Sequence, residues 1–149
     1  MQSSLVIRAA TTSDKAVIAE LVTALGYPAE VDDIPVRLEQ LDQHPGAVVL
    51  LAEVDGAVLG ALTMHVFPSL HATGRIAWIT MLVVAPVARG KGVGAALVGA
   101  AEKLAHERGA IRISVASGIH RADAHAFYQR LGYPQSGIRF TRTLGDAET

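Results

Sequence analysis

Residues 76–97 read IAWITMLVVAPVARGKGVGAAL, an apolar run, a proline, a basic turn spaced with glycines, and then the start of an alanine-rich pattern. The run Ile76–Val84 is continuously hydrophobic instead of alternating, which is the mark of a strand buried on both faces at the centre of a sheet. From Ala95 through Arg108 the apolar residues recur at helical spacing, and Gly109 suits a C-terminal cap. Between strand and helix lies Arg89-Gly90-Lys91-Gly92-Val93-Gly94. Glycines there let several backbone N–H groups face one anion without Cβ obstruction, and the helix start adds its partial positive charge to Arg89 and Lys91. The segment lacks the Lys-Ser/Thr ending of a P-loop, and it does not sit in the first βα unit, where a dinucleotide fingerprint belongs. It reads as a phosphate cradle that needs no metal; taken alone, it also reads as a flexible connector with helix-capping glycines.

Working outward from this stretch, Val48–Val54 and Ala57–Val66 are β-rich runs separated by Asp55-Gly56, the pair a tight hairpin turn favours. A loop containing Pro68, His71 and Gly74 leads into the central strand. Nearer the N-terminus, Leu5–Arg8 suits a strand, and Thr11-x-x-Asp14 resembles a variant capping box. Val17, Ile18, Leu21, Val22 and Leu25 then mark a helix ending at Gly26. Asp32 and Asp33 open a second, more exposed helix that ends near His44-Pro45. Downstream of Gly109, Ile111–Ala116 predicts a strand, Ala122–Leu131 a helix capped by Gly132, and Gly137–Leu144 a final alternating strand. The order β-α-α-β-β-β-α-β-α-β predicts a mixed sheet covered by helices.

The chain has 149 residues, so one domain spanning 1–149 is expected. Half the residues are hydrophobic and 18% are charged, which excludes a disordered chain. The formal net charge of −1 provides no bulk attraction to nucleic acid or membrane phosphates. The absence of cysteine excludes disulfides, thiolate metal sites and a thiol nucleophile. Neither a signal-peptide pattern nor a membrane-length apolar run is present, so the expectation is a soluble cytoplasmic protein without a metal.

The glycine-rich turn matches the Arg/Gln-x-x-Gly-x-Gly/Ala signature of the GNAT acetyltransferase superfamily, which the whole chain resembles. Leu82-Val83-Val84 and Pro86 look like that family's fourth strand and its exit. Ala124-His125-Ala126-Phe127-Tyr128-Gln129-Arg130-Leu131-Gly132-Tyr133 is similar to its Ala-x-x-Phe-Tyr-x-x-x-Gly-Phe/Tyr helix. The resemblance implies an α/β (mixed α+β) fold: a mostly antiparallel, V-splayed mixed sheet of six to seven strands flanked by about four helices. It implies an acetyl-CoA-dependent N-acetyltransferase acting directly on a primary amine. By resemblance, a bulge in the fourth strand splays it from the fifth. The backbone N–H of Leu82 then stabilises the oxyanion, and Val84, with Val83, meets the pantetheine arm. Arg89, Gly90, Lys91, Gly92, Val93 and Gly94 hold the diphosphate, Phe127 lies beside the cofactor, and Tyr128 is the general acid for the thiolate. A phenol near pKa 10 is reasonably matched to a thiol near 8.5. Packing of Tyr128 beside Phe127 in the core is the plainer alternative.

The sequence departs from its relatives at the base. Members that acetylate lysine often carry a glutamate eleven residues before the signature's first residue, and Trp78 stands there. Thr80 and Met81 occupy the places where other relatives keep an acid. His65 or His71, ordered water, or an amine that arrives neutral are the remaining routes for the proton. Gly118 replaces an Asn common in relatives, and His120, Arg121 and His125 read as a solvated face. A small or amino-acid-like amine, possible also as part of a peptide, is the expected acceptor, and relatives that dimerise make a homodimer an expectation too. An acetyl-CoA-binding sensor with little turnover is the alternative reading.

Overall fold

The computed structural model describes residues 4–116 and 122–145. Asp55 and Gly56 both take positive φ, 51° and 86°, as a two-residue hairpin turn requires. They join β2 (Ala47–Val54) to β3 (Ala57–Ser69) in an antiparallel pair. β1 (Leu5–Ala9) adds to the far edge of β2, and β4 (Ala72–Val84) runs antiparallel to β3. β5 (Ala110–Val115) lies parallel to β4, so the sheet order is β1-β2-β3-β4-β5. The helices are α1 (Lys15–Leu25), α2 (Asp33–Asp42), α3 (Val93–Glu107) and α4 (Ala122–Arg130).

Both faces of the central strands are covered. On one face Val93, Leu97, Val98, Ala101 and Ala105 of α3 pack on Ala52, Leu62, Met64, Ala77 and Ile79. On the other, Ile18 and Leu21 of α1 and Ile34 of α2 pack on Leu51, Ala61 and Val83. Met81–Val84 thus meets core on both sides, whereas Trp78 and Thr80 within the same run are exposed, so the two-sided burial expected of the run is met in its second half only. Each buried large aliphatic side chain contributes about 1.5–3 kcal/mol, and Ile76, Ile79 and Val83 anchor β4 in this way.

Two expectations are corrected. Pro68, His71 and Gly74 do not form a loop: β3 and β4 continue to Ser69 and from Ala72, leaving only Leu70 and His71 between them. The alternating segment Gly137–Leu144 is not a strand, and the sheet has five strands among the described residues, not six or seven. Alternation prepares two faces, but a strand exists only where a neighbouring edge completes its ladder. Ile138, Phe140 and Leu144 are left largely exposed.

The turn after β1 is fixed by charge. Asp14 accepts from Arg8 Nη1 and Nη2 at 3.0 and 2.8 Å and from the Thr11 N–H at 2.9 Å, while Arg8 Nε donates to Glu53 at 3.1 Å. The Thr11–Asp14 pair thus caps a short 3-10 turn, Thr12–Asp14, that feeds directly into α1. The Arg8 hydrogen bond foremost, with the Thr11 N–H, holds the Asp14 carboxyl at about 2, below its ordinary 3.8. A depressed carboxylate stabilises the fold above its unfolded pKa and loses that contribution as pH falls through the folded value. Urea titrations of the wild type should therefore show a loss of about 1–2 kcal/mol between pH 4 and pH 2, and Asp14→Asn should remove most of that pH dependence while lowering stability at pH 7.

Candidate functional site

Between β3 and β4 the register shifts by one residue: Thr63 pairs with Met81 and Met64 with Ile79, so Thr80 is the extra residue of a β-bulge. Its hydroxyl donates to the Thr63 carbonyl at 3.3 Å. β5 pairs with β4 only from Arg75 to Ile79. Past the bulge, β4 keeps β3 on one side and has lost β5 on the other.

The direction of the free groups follows from the ladder. Ala85 N–H donates to the Leu59 carbonyl at 2.8 Å, in register with the pairs Gly60–Val84, Ala61–Val83 and Leu62–Leu82. Hydrogen-bonded and non-hydrogen-bonded pairs alternate along an antiparallel ladder. Ala61–Val83 is thus bonded, and the N–H and C=O groups of Leu82 and Val84 point away from β3 into the gap that β5 has left. Their side chains meanwhile pack on the α3 side of the sheet.

The same gap leads to the glycine-rich turn. After the 3-10 turn Pro86–Ala88, Gly90 and Gly92 take φ of 79° and 83°, with open space where a Cβ would stand. Gly92 is the N-cap of α3, and the first-turn N–H groups of Val93, Gly94 and Ala95 have no intrahelical acceptor. Arg89 and Lys91 are exposed, and neither has a carboxylate within ion-pair distance among the described residues. Open backbone donors, a helix start and two unpaired cations are the donor set a diphosphate requires.

α4 closes on this region through one ring. A Cβ on Gly94 would stand 3.1 Å from the Phe127 ring and 3.5 Å from Val84, so Phe127 lies between the start of α3 and the end of β4. Tyr128 stands edge-on to Phe127 at 5.3 Å between centroids. The structure thus gathers Leu82, Val83, Val84, the Arg89–Gly94 turn, Phe127 and, beside it, Tyr128 around one end of the sheet.

The two histidines part company. His65 pairs across the ladder with Trp78, two residues before the bulge. His71 sits in the β3–β4 turn, bonded to the Ser69 hydroxyl, nine residues or about 30 Å along β3 from Leu62, the partner of Leu82; it is not brought to the site. Gly118, His120 and Arg121 lie outside the described residues. Sequence reading gave no role to Glu102, whose pairing with Tyr133 across 31 residues leaves no local signal.

The chain matches the acetyltransferase (GNAT) family over residues 16–133. It belongs to that family. An aminoalkylphosphonate N-acetyltransferase of Salmonella typhimurium is 39% identical over 143 residues, covering 93% of this chain and 90% of the relative. An aminoglycoside N(6′)-acetyltransferase of Stenotrophomonas maltophilia is 26% identical, covering 87% and 86%. The solved structure of an aminoglycoside N-acetyltransferase in complex with CoA superposes with a TM-score of 0.82 over 96% of this chain and 97% of that one, at 18% identity, a likeness of fold. The protein is thus a GNAT N-acetyltransferase, and no helix of its described residues is long and apolar enough to cross a membrane.

For this GNAT domain the Gly94–Phe127 contact predicts a contrast within one helix. Gly99 has nothing within 4 Å of an added Cβ, so Gly99→Ala should stabilise by about 0.5–1 kcal/mol through helix propensity. Gly94→Val should instead destabilise by about 1–3 kcal/mol by pushing on Phe127. Paired urea denaturation curves check both.

Proposed function

We propose that this acetyltransferase binds acetyl-CoA in the β4–β5 splay and acetylates the primary amine of a small molecule directly. The observation that carries the reading is the presence of two sets of backbone donors at one end of the sheet, Leu82 and Val84 in the gap and the first-turn N–H groups of α3. Bound acetyl-CoA supplies an activated thioester carbonyl and a thiolate leaving group. Arg89, Lys91 and the N–H groups of Gly90 and of Gly92 to Gly94 hold its diphosphate, the Lys91 N–H being already bonded to the Ala88 carbonyl. The Val84 backbone orients the pantetheine arm, Val83 anchors that strand in the core, and Phe127 walls the site. The Leu82 N–H faces the position where negative charge gathers on the carbonyl oxygen, a donor fixed in advance by the sheet. Tyr128 Oη holds the proton offered to the departing sulfur.

The acceptor side of the proposal rests on the sheet face that carries Thr63, His65, Phe67, Trp78 and Thr80. Trp78 is 39% exposed there, and the ring face of an exposed tryptophan attracts an ammonium group. None of these side chains is a carboxylate, so a polycationic acceptor finds no counter-charge among them. A compact amine of the kind named for the aminoalkylphosphonate relative suits this face better than an aminoglycoside. No side chain of the β4 bulge accepts a proton, and His65, three residues or roughly 10 Å along β3 from Leu62, the partner of Leu82, receives it through water.

A panel of small amines, aminoalkylphosphonates included, should release CoA from acetyl-CoA in the presence of the protein. Tyr128→Phe should lower kcat about 100-fold or more and leave acetyl-CoA affinity within about twofold. Equal CoA release by wild type and Tyr128→Phe across the panel would sink the assignment of the acid.

The two histidines give a separate test in kcat/KM at a fixed pH. His65→Gln should lower it about 10-fold or more, and His71→Gln should leave it unchanged. The reverse pattern would remove His65 from the proton route.

A further inference from the structure

Two contacts among the described residues join helices α3 and α4. The first is the contact of Phe127 with Gly94 in the first turn of α3. The second is polar: the Tyr133 hydroxyl donates to Glu102 Oε2 at 2.6 Å. From Gly94 to Glu102 is roughly 12 Å of helix at 1.5 Å per residue. Tyr133 lies just beyond the end of α4 and is tied back into it, for its N–H donates to the Tyr128 carbonyl at 2.9 Å and the two rings stand 6.4 Å apart. Its ring packs on the α3-side core. Burial first, and then the bond to Glu102, push the Tyr133 phenol well above the ordinary tyrosine range, so it remains a donor wherever the enzyme is folded and active.

A helix fastened at one point can pivot about it, whereas fastening at two points separated by 12 Å fixes its direction as well. We propose that the Tyr133–Glu102 hydrogen bond is a latch that sets the angle of α4 against α3 and so positions the Tyr128 hydroxyl at the β4–β5 splay. This rests on the reading of Tyr128 as proton donor. Tyr133 and Glu102 are positioning residues: they act through the helix that carries Tyr128. The geometry also makes the latch a link between the two halves of the site, because the helix that presents the anion-binding turn at one end holds Glu102 on its flank.

Steady-state kinetics with acetyl-CoA and the best amine of the panel test the latch. Tyr133→Phe keeps the ring and its packing and removes only the donor. Its kcat should fall about 5- to 20-fold, an effect of misplacement alone, with the KM for the amine within about twofold. Glu102→Ala should match it, and Glu102→Gln, which retains an acceptor oxygen, should recover to within about threefold of wild type. The decisive comparison is the double variant. If Tyr133 acts through Tyr128, Tyr128→Phe with Tyr133→Phe turns over no slower than Tyr128→Phe alone, because contributions that form one unit are not additive. Multiplying losses, or an unchanged kcat in Tyr133→Phe, overturns the latch. Hydrogen exchange keeps this separate from the donor assignment: the amides of 122–130 should exchange faster in Tyr133→Phe and Glu102→Ala than in wild type. A Tyr128→Phe enzyme at the wild-type rate removes the donor, whereas unchanged exchange in α4 removes the latch.

Discussion

A strand inside a sheet presents hydrogen-bonding groups on two edges, and β4 satisfies both only as far as Ile79. Everything about the site follows from what happens next. The bulge at Thr80 shifts the strand by one residue, the ladder with β3 resumes, and β5 does not follow. Buried backbone groups without partners are costly. The fold tolerates them here because the gap is open and because β4 is anchored elsewhere, with Leu62, Met64 and Ile79 buried against α3 and Leu51, Ala61 and Val83 buried against α1 and α2. Stability is concentrated on the two faces of the sheet, and the unmet hydrogen-bonding capacity is concentrated at one edge.

The glycine-rich turn depends on the same arrangement. α3 can start beside the gap only because β4 ends there and Pro86 begins a short 3-10 turn that reverses the chain. The positive φ at Gly90 and Gly92 then leads the chain into the first turn of α3, whose N–H groups have no intrahelical acceptor. Gly94 does something different: its φ is ordinary, and its missing side chain admits the Phe127 ring. Three glycines at regular spacing thus serve two physical purposes, conformational freedom at the first two and close approach at the third.

How much of this was legible in the chain depended on the range of the interaction. Hairpin geometry at Asp55-Gly56, the capping pair Thr11–Asp14 and the helix end at Gly26 are local, and each is written in neighbouring residues. The continuous hydrophobicity of β4 placed it inside the sheet but overstated its burial, since Trp78 and Thr80 within the run are exposed. The bulge and the splay were reached only by family resemblance, since nothing in Thr80 or Met81 distinguishes a bulged residue from a paired one. Gly137–Leu144 misled for a related reason: its alternation is real, but whether a neighbour completes the ladder is a property of the whole chain. The Phe127–Gly94 and Tyr133–Glu102 contacts join residues more than thirty positions apart and have no sequence signature; the helix motif named Phe127 and Tyr133 without saying what they touch.

Leu82 and Val84 turn their side chains into the core and their main chain into the gap. The side chain at each position is thus selected for volume and apolarity, and the donor is the one part of the residue that ordinary substitution cannot delete. An alanine scan across this strand would register lost packing at both positions and be blind to the amide. Conversely, the chain is free to exchange leucine for another large aliphatic residue there without altering the donor. The chemistry of this edge is encoded in the path of the backbone, and its mutational record is therefore that of a core.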